Sequence, residues 1–408
     1  MEEKRKPEVL APAGDRECLE AAVRFGADAV YLGGTRFGMR ASPKNFDRRG
    51  LRDAVAYCHA HGVKTYVTCN TLPRNEGLAE LPAYLRDCQD IGVDALIVTD
   101  LGVLQMAKQY APKVALHVST QMGVVNYAAA AALYDLGASR VVMARELSMK
   151  EIREIRAQTP EGLMLEAFVH GAMCMSYSGR CLLSNYMTGR DANQGACAQP
   201  CRWSYDLVER KRPGERYTLV QEEQGSFILN AKDLNMIRHI PALLEAGVHS
   251  LKIEGRGKSA YYVACTTGAY RQAVDFALAH PGETLPERIF RETLKLSHRP
   301  YSTGFYFDSN PGQSTGDGGY IRDYELVAVC LGQTGNRVKL KQRNRFFRGE
   351  RADLLQPSGT RLVLPLTRLY NAYGEEIEAA PHAEMTVYLE TAARVEPGSY
   401  LRVRRSPA

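Results

Sequence analysis

The fold of this chain is decided by the stretch GADAVYLGG at positions 26–34 and by the recurrence of its pattern. A glycine just past a helix supplies a left-handed C-cap, and the apolar run after it is typical of a buried parallel strand. The same order returns in GVDALIVTD (92–100), GASRVVMARE (137–146) and GVHSLKIEGR (247–256). Amphipathic helical stretches precede these glycines, so strand and helix alternate as far as about residue 280.

Eight strands follow from this pattern. Eight strands that alternate with helices indicate a (β/α)8 TIM-type barrel rather than an open doubly wound sheet. No G-x-G-x-x-G motif follows the first strand, which argues against a dinucleotide-binding fold. The predicted strands are Val9–Ala11, Ala29–Leu32, Lys64–Asn70, Ala95–Thr99, Val114–Ser119, Arg140–Ala144, Leu163–Val169 and Leu251–Glu254.

A long insertion follows the seventh strand. About sixty residues separate Val169 from the next predicted helix, Leu234–Glu245, which is far more than a normal βα loop contains. We therefore expect residues 171–230 to form an insertion at the C-terminal mouth of the barrel, where barrel enzymes keep their chemistry.

The insertion contains four of the ten cysteines, in the spacing C-x6-C-x15-C-x3-C: Cys174, Cys181, Cys197 and Cys201. Three interpretations compete. Four buried thiols would need no metal, because free cysteine behaves as a small hydrophobe. Structural zinc sites usually have two short C-x2-4-C pairs, and only one short pair exists here. An iron–sulfur cluster suits irregular spacing on a glycine-rich loop best, because glycines let one loop turn several thiolates toward one centre.

The chain divides into a barrel domain at 1–307, a linker at 308–319 and a C-terminal domain at 320–408. The linker sequence, DSNPGQSTGDGG, contains almost nothing apolar. Beyond it, apolar and polar residues alternate in short runs such as RVKLKQ and EMTVYLE, which predicts a small all-β domain of barrel or sandwich type.

Composition excludes several classes of protein. With 45% hydrophobic and 24% charged residues the chain is globular rather than disordered. The charged N-terminus lacks the apolar core of a secretory signal, and no run of eighteen apolar residues predicts a membrane helix. Cysteines without an export signal favour a reducing cytoplasm. The net charge of +6 permits a nucleic-acid partner without requiring one.

Polar residues at the ends of the predicted strands are candidates for chemistry. Lys252 and Glu254 alternate with apolar neighbours, so both point to one face of the eighth strand, and Arg256 follows directly. Glu166 and His170 lead from the seventh strand into the cysteine loop, where they would form an ionisable pair able to carry protons, unless His170 only orients the loop. Further strand-end candidates are Asn70, Asp100, His117, Gln121, Arg145 and Glu146.

Two groups of cations suit anionic ligands. Arg36, Arg40 and Lys44 lie in a glycine-containing loop after the second strand, which suits a dicarboxylate or a phosphate, or is simply a solvated basic loop. A C-terminal run of seven cations, opposed within the run only by Glu350, contains two phenylalanines and suits RNA. Its predicted RNA-binding residues are Lys341, Arg343, Arg345 and Arg348.

Machinery for proteolysis is missing from the sequence. No H-E-x-x-H helix and no G-x-S-x-G elbow occurs. His170 and Cys174 would be the elements of a thiol–imidazole pair, but the cysteine is better employed as a metal ligand.

The stretch around the first cysteines resembles the signature of the peptidase U32 family over a long, specific motif. Other segments along nearly the whole chain also resemble this family, namely GADAVYLGG, STQMGVVN, KIEGR and HRPYSTGFY. The signature residues are Glu166-x-Phe168-x2-Gly171-Ala-Met-Cys174-x4-Gly179-x-Cys181-x-Leu-Ser184.

The resemblance implies more than the residues do. It implies a 4Fe-4S cluster on the four cysteines, a C-terminal β-domain, and hydroxylation of RNA without molecular oxygen. The members most similar in length and layout form 5-hydroxyuridine at the tRNA wobble position, with prephenate implied as the hydroxyl source. Because arginine forks grip carboxylates, we expect Arg40 and Arg256 to hold the two carboxylates of prephenate. Gln121, Arg36 and Arg145 complete the predicted donor site, and Glu166, His170, Lys252 or Glu254 would carry catalysis.

Three other functions stay open at this point: a collagenase-type peptidase, a ribosomal RNA hydroxylase, and a non-enzymatic iron–sulfur protein that binds RNA. The expected partners are tRNA and either the iron–sulfur assembly machinery or a family paralogue, with no membrane.

Overall fold

A computed structural model describes residues 6–39, 45–174, 181–190, 196–203, 207–208, 216–217, 231–308 and 320–405. Up to residue 308 its strands, β1 to β12, are Glu8–Pro12, Ala29–Gly33, Lys64–Cys69, Ala95–Val98, Ala115–Val118, Arg140–Val142, Met164–Ala172, Leu207–Val208, Arg216–Tyr217, Asp233–Asn235, Ser250–Ile253 and Tyr301–Ser302. Its α-helices, α1 to α11, are Arg16–Arg24, Arg48–Ala60, Asn75–Leu78, Leu81–Ile91, Leu101–Tyr110, Tyr127–Asp135, Met149–Ala157, Leu183–Thr188, Ile240–Glu245, Ala260–Ala279 and Glu287–Thr293.

Strands β1 to β7 and β11 form a closed parallel barrel. Neighbouring strands pair in chain order, and β11 closes the ring by pairing in parallel with both β7 and β1. The predicted barrel is therefore confirmed, with all eight strands at their expected places. Apolar residues on the outer strand faces, such as Val9, Leu96 and Leu251, are buried under the surrounding helices.

The predicted helix at Leu234–Glu245 begins later than expected. Residues Asp233–Asn235 form β10, which pairs antiparallel with the end of β7, and the α-helix starts only at Ile240. Three residues with one apolar side chain, Leu234, are too short a stretch to tell a strand from a helix, and here pairing with the end of β7 decides.

The C-terminal part is all-β, as predicted. Its strands, β13 to β21, are Tyr324–Thr334, Arg337–Gln342, Phe346–Phe347, Arg351–Leu355, Arg361–Pro365, Leu369–Tyr370, Ala379–Ala380, Thr386–Glu390 and Tyr400–Arg404. Seven of them form one antiparallel sheet in the order β17-β16-β21-β13-β14-β20-β18 around its own apolar core. Most of the predicted linker, from residue 309 on, lies outside the described residues.

The two parts share a buried interface. Tyr400 packs against Phe25 of the barrel domain at a ring-centroid distance of 5.9 Å and against Tyr261 at 5.8 Å. Beside them Arg402, only 1% exposed, reaches Glu292 of α11 with its guanidinium. Among the described residues, no helix is both long enough and apolar enough to span a membrane.

Candidate functional site

At the mouth of the barrel, Arg256 lies across the end of β2. Its Nη1 donates to Thr68 Oγ1 at 2.7 Å, and the side chain is 8% exposed. A Cβ atom on Gly33 would stand 2.7 Å from the same Nη1, so only glycine leaves room for the guanidinium there. The backbone is equally tight, because a Cβ on Gly14 would meet the Arg256 carbonyl oxygen at 2.0 Å. The glycines after β1 and β2 thus position a buried cation at the mouth.

A second arginine joins the ends of three strands. Arg145 donates through Nη1 to the Ala172 carbonyl at 2.9 Å and through Nη2 to Glu254 Oε2 at 3.1 Å. Its guanidinium lies 3.9 Å from the centroid of the Phe168 ring. The structure therefore brings together the predicted residues Arg145 and Glu254, at the exits of β6, β7 and β11.

Two amides fasten the loop that follows β2. Asn70 Nδ2 donates to Gln121 Oε1 at 2.6 Å, and Asn70 Oδ1 accepts from the backbone N–H of Met39 at 3.0 Å. Gln121 is thus placed at the mouth, as predicted. Arg36 points away and pairs with Glu80, where both side chains are more than half exposed. Arg40 and Lys44 lie outside the described residues.

Glu166 and Lys252 are buried inside the barrel, below the mouth. Glu166 is in register with Ser250, the first residue of β11, so its carboxylate lies toward the N-terminal end of the barrel. It accepts from Lys252 Nζ at 2.7 Å and from Arg140 Nη1 at 3.0 Å. The ammonium of Lys252 also lies 4.7 Å from the centroid of the Tyr31 ring. These contacts satisfy both charges within the barrel.

The sequence did not point to Glu8 and Arg140, which complete this internal network. Arg140 Nη1 donates to Glu8 Oε1 at 2.6 Å, and Tyr66 donates its hydroxyl to Glu8 Oε2 at 2.6 Å. Burial alone would raise the pKa of Glu8, but Arg140 and these hydrogen bonds hold it below its usual value. A charged residue at the first position of an otherwise apolar strand was the available signal, and it occurs in both β1 and β6.

His170 faces away from Glu166, contrary to the predicted proton-carrying pair. The register between β7 and β11 shifts at Val169, so that His170 is in line with Ile253, an outward-facing core residue. The imidazole lies among three tyrosine rings of α10 and β12, with centroids at 5.4–6.0 Å, from Tyr262, Tyr270 and Tyr301. Side chains alternate between the two faces of a regular strand, so Glu166 and His170 were expected on the same face. The bulge at Val169 shifts this alternation by one residue and puts His170 on the opposite face.

Burial, aided by His298 and Lys258, lowers the pKa of His170 to about 3. In the unfolded chain the pKa of His170 is near 6.5, so the unfolded state binds a proton at a higher pH than the folded state does. The stability contributed by neutral His170 is therefore fully present above about pH 6.5 and is lost progressively as the pH falls toward 3. We expect the free energy of unfolding of the wild type to fall between pH 7 and pH 5 by about 1–2 kcal/mol more than that of His170→Phe. Urea unfolding at both pH values measures this. The exposed control His61→Phe should decline as the wild type does, and equal declines in wild type and His170→Phe would contradict the assignment.

The cysteines separate into two groups. Six are buried, and burial raises the pKa of their thiols, to about 12 for Cys88 and about 11 for Cys330. The other four are exposed or half-buried, and they are the four of the insertion, Cys174, Cys181, Cys197 and Cys201. Ser184 ties their segment together, because its Oγ accepts from the Ala198 N–H at 2.9 Å and donates to the Arg190 carbonyl at 2.8 Å.

The donor set fits a soft metal or an iron–sulfur cluster, since accessible thiolates are the ligands that both prefer. Within the described parts of the insertion and the rest of the described chain, no three His, Cys, Asp or Glu side chains are already gathered as a metal site.

Part of the C-terminal basic run pairs with acids from elsewhere in the chain. Lys341 and Arg343 both pair with Glu384, and Arg343 also reaches Glu17 of α1. Arg348 pairs with Glu376 and Glu378 at 2.9 and 2.6 Å, while Arg345 is exposed. Glu350 is the only acid within the run, but further acidic partners, distant in sequence, reduce the number of cations left for RNA; the predicted RNA contacts themselves stay a prediction.

Comparison with known proteins places the chain in a family. Residues 14–316 match the model of peptidase family U32, and residues 322–402 match the model of the peptidase family U32 C-terminal domain. The chain is 37% identical to tRNA hydroxylation protein P1 of Bacillus subtilis, over 98% of this chain and 95% of that protein. It is 35% identical to tRNA hydroxylation protein P of Escherichia coli, over 98% and 97% of the two chains.

A further relative is the 23S rRNA 5-hydroxycytidine C2501 synthase of Escherichia coli, 35% identical over 75% of this chain and 46% of that protein. The two family models together account for the barrel with its cysteine insertion and for the C-terminal sheet. The chain belongs to peptidase family U32.

Proposed function

We propose that this protein hydroxylates RNA, and that its reaction is formation of 5-hydroxyuridine at the wobble position of tRNA. The observation that carries the proposal is the match along 98% of the chain to two tRNA hydroxylation proteins. The rRNA relative, whose name also states a hydroxylated pyrimidine, is matched over a smaller share of its length. This difference in coverage favours tRNA over ribosomal RNA as the substrate.

The proposed cofactor is a 4Fe-4S cluster on Cys174, Cys181, Cys197 and Cys201. Their accessibility supports it, because the six other thiols are buried and hard to ionise. Such a cluster would supply electron transfer at the mouth of the barrel. Cys174 directly follows β7, so the first ligand would sit two residues beyond Ala172, whose carbonyl oxygen Arg145 holds.

Arg256 is the residue that we propose for binding prephenate, the proposed hydroxyl donor. A carboxylate gains most from a guanidinium that is shielded from water and already held in place. Arg256 meets both conditions, because Thr68 fixes it and Gly33 and Gly14 crowd it. Arg145 and Glu254, paired at the same rim, would then orient the substrate or move a proton.

Arg256→Ala is expected to lower hydroxylation by about a hundredfold, because a bidentate, desolvated carboxylate contact is lost. Iron content should not change, since no cysteine is altered. Arg36→Ala is the matched control and should retain wild-type activity, because its guanidinium pairs with Glu80 on the surface. Hydroxyuridine in tRNA is measured by mass spectrometry of nucleosides. Wild-type modification by Arg256→Ala would remove the donor-binding role.

The choice of substrate and donor has its own experiment. Nucleosides from separated tRNA and rRNA should be compared between cells with and without the gene, and between cells that can and cannot make prephenate. Loss of hydroxyuridine from tRNA in both deficient strains is expected. A loss confined to rRNA would overturn the tRNA assignment, and full modification without prephenate would overturn the donor.

Peptidase activity is the second candidate, since the family is named for it. The geometry disfavours the thiol–imidazole pair of Cys174 and His170. His170 lies among tyrosine rings, and its pKa near 3 makes it a poor base at neutral pH. Gelatin cleavage by purified protein, with and without an intact cluster, tests this activity; we expect none in either form.

A further inference from the structure

The outer face of the C-terminal sheet has an unusual row of side chains. In an antiparallel sheet, residues directly opposite each other point to the same face. Lys339 of β14 is opposite Tyr388 of β20, which is opposite Tyr370 of β18. On the other side Lys339 is opposite Gly332, where even an added Cβ would have nothing within 4 Å. The row therefore reads glycine, lysine, tyrosine, tyrosine across four strands.

A second cation stands beside this row. Arg337 lies on the same face of β14 two residues before Lys339, and its guanidinium is 4.9 Å from the centroid of the Tyr370 ring. Arg337 and Lys339 are exposed, and both tyrosines are half-buried. The alternating residues Val338 and Leu340 are fully buried in the core of the domain, so the cations and tyrosines lie on the outer face of the sheet, at a place where Arg337 and Lys339 are exposed.

The same outer face also carries contacts to the barrel domain, but these lie on neighbouring strands and further along β14. They come from Val329 on β13, Leu355 on β16 and Tyr400 and Arg402 on β21, and from Arg343 just after β14. Nearest to the row, Glu390 carries the opposing charge, and it is engaged by the Tyr370 hydroxyl at 3.0 Å and by Arg368 at 3.5 Å. Arg337 thus stands over one tyrosine ring, and Lys339 is directly opposite the second tyrosine, on an exposed part of the sheet.

We propose that this row, defined by Arg337, Lys339, Tyr370 and Tyr388, binds a single-stranded segment of RNA. Bases stack on aromatic rings whatever their identity, and cations interleaved with the rings contact the phosphates. A sheet spaces neighbouring strands about 4.8 Å apart, which places the two tyrosines side by side as a stacking surface. The inference rests on the proposed RNA substrate. It assigns binding of the single-stranded part to Arg337 and Lys339, the first two cations of the C-terminal basic run, rather than to Lys341, Arg343 and Arg348, which pair with glutamates.

The test measures binding of a fluorescent oligouridylate of about twelve nucleotides to the full-length protein, by anisotropy over a range of salt. Tyr388→Ala should weaken binding about tenfold, whereas Tyr388→Phe, which keeps the stacking face, should stay within about twofold of wild type. Lys339→Ala should reduce the slope of log affinity against log salt by about 0.7.

Two variants serve as controls. Tyr110→Ala removes a tyrosine that also lies under an arginine, Arg86 at 4.8 Å, but at the end of α5. Arg48→Ala removes a cation of the barrel domain, on α2, that pairs with Asp87 at 2.8 Å. Both should bind as the wild type does. Wild-type affinity in Tyr388→Ala, or equal loss in the Ala and Phe variants, would overturn the proposal. Binding needs no turnover, so a failure here is separate from a failure to hydroxylate tRNA.

Discussion

Cys197→Ala is expected to abolish RNA hydroxylation and to remove the iron from the protein. Wild-type protein purified without oxygen should be brown, with a broad absorption band near roughly 400 nm and about four irons per chain. A cluster with one of four thiolates missing loses both a ligand and a negative charge, so the remaining three hold it poorly. Iron content, absorption and tRNA hydroxyuridine should fall together, with hydroxyuridine below detection.

The matched control is Cys330→Ala, which makes the same substitution at a buried cysteine of the C-terminal core. It should keep its colour, its iron and its activity. Two results would contradict the cluster assignment: colourless wild-type protein with one tightly held zinc, or full iron content in Cys197→Ala.

Arg402→Ala is expected to destabilise the protein by about 3–5 kcal/mol, because two carboxylates at a buried interface lose the guanidinium that they share. Arg402 bonds Glu292 Oε2 at 2.5 Å and Asp353 Oδ1 through Nε at 2.8 Å. Burial by itself would raise the pKa of Glu292, but Arg402 and then Lys295 hold it below its usual value. Without Arg402, Lys295 still bridges Glu292 and Asp353, at 2.9 and 2.6 Å, and Arg361 still lies 3.4 Å from Glu292.

Urea unfolding at pH 7 measures the loss, and Arg368→Ala is the control. Arg368 pairs with Glu390 at 3.5 Å on the surface, where its side chain is 64% exposed, so that substitution should cost less than about 1 kcal/mol. Similar losses in the two variants would mean that the buried network does not stabilise the interface. Because β16 and β21 carry this network, Arg402→Ala should also loosen the C-terminal domain from α10 and α11.

The barrel was predictable because its signal is local. A glycine C-cap followed by an apolar run, as in GADAVYLGG, depends only on neighbouring residues, and every barrel strand shows a comparable run. The four metal-ligand candidates could be proposed for the same reason, since they cluster in one stretch, and their role stays a prediction. Only the fold shows that these four cysteines are accessible whereas the other six are buried.

The failures share a cause, which is that partners distant in sequence cannot be seen. The glutamates that neutralise Arg343 and Arg348 come from α1 and from residues 376–384. One bulge at Val169 turned His170 to the other face of β7. Glu166 looked like a rim residue by its position before the cysteine loop, but β7 is nine residues long and continues to Ala172. Arg145, Glu254 and Arg256 lie at the rim instead, together with Asn70 and Gln121.

The most direct test of the account uses a bacterial strain that has lost hydroxyuridine from its tRNA and expresses this chain as its sole U32 family member. Nucleosides from purified tRNA are then quantified by mass spectrometry, alongside the iron content of the recovered protein. Hydroxyuridine is expected to reappear with the wild-type chain and to stay absent with Cys197→Ala. Unmodified uridine in cells that contain iron-loaded wild-type protein would contradict the proposed tRNA hydroxylation.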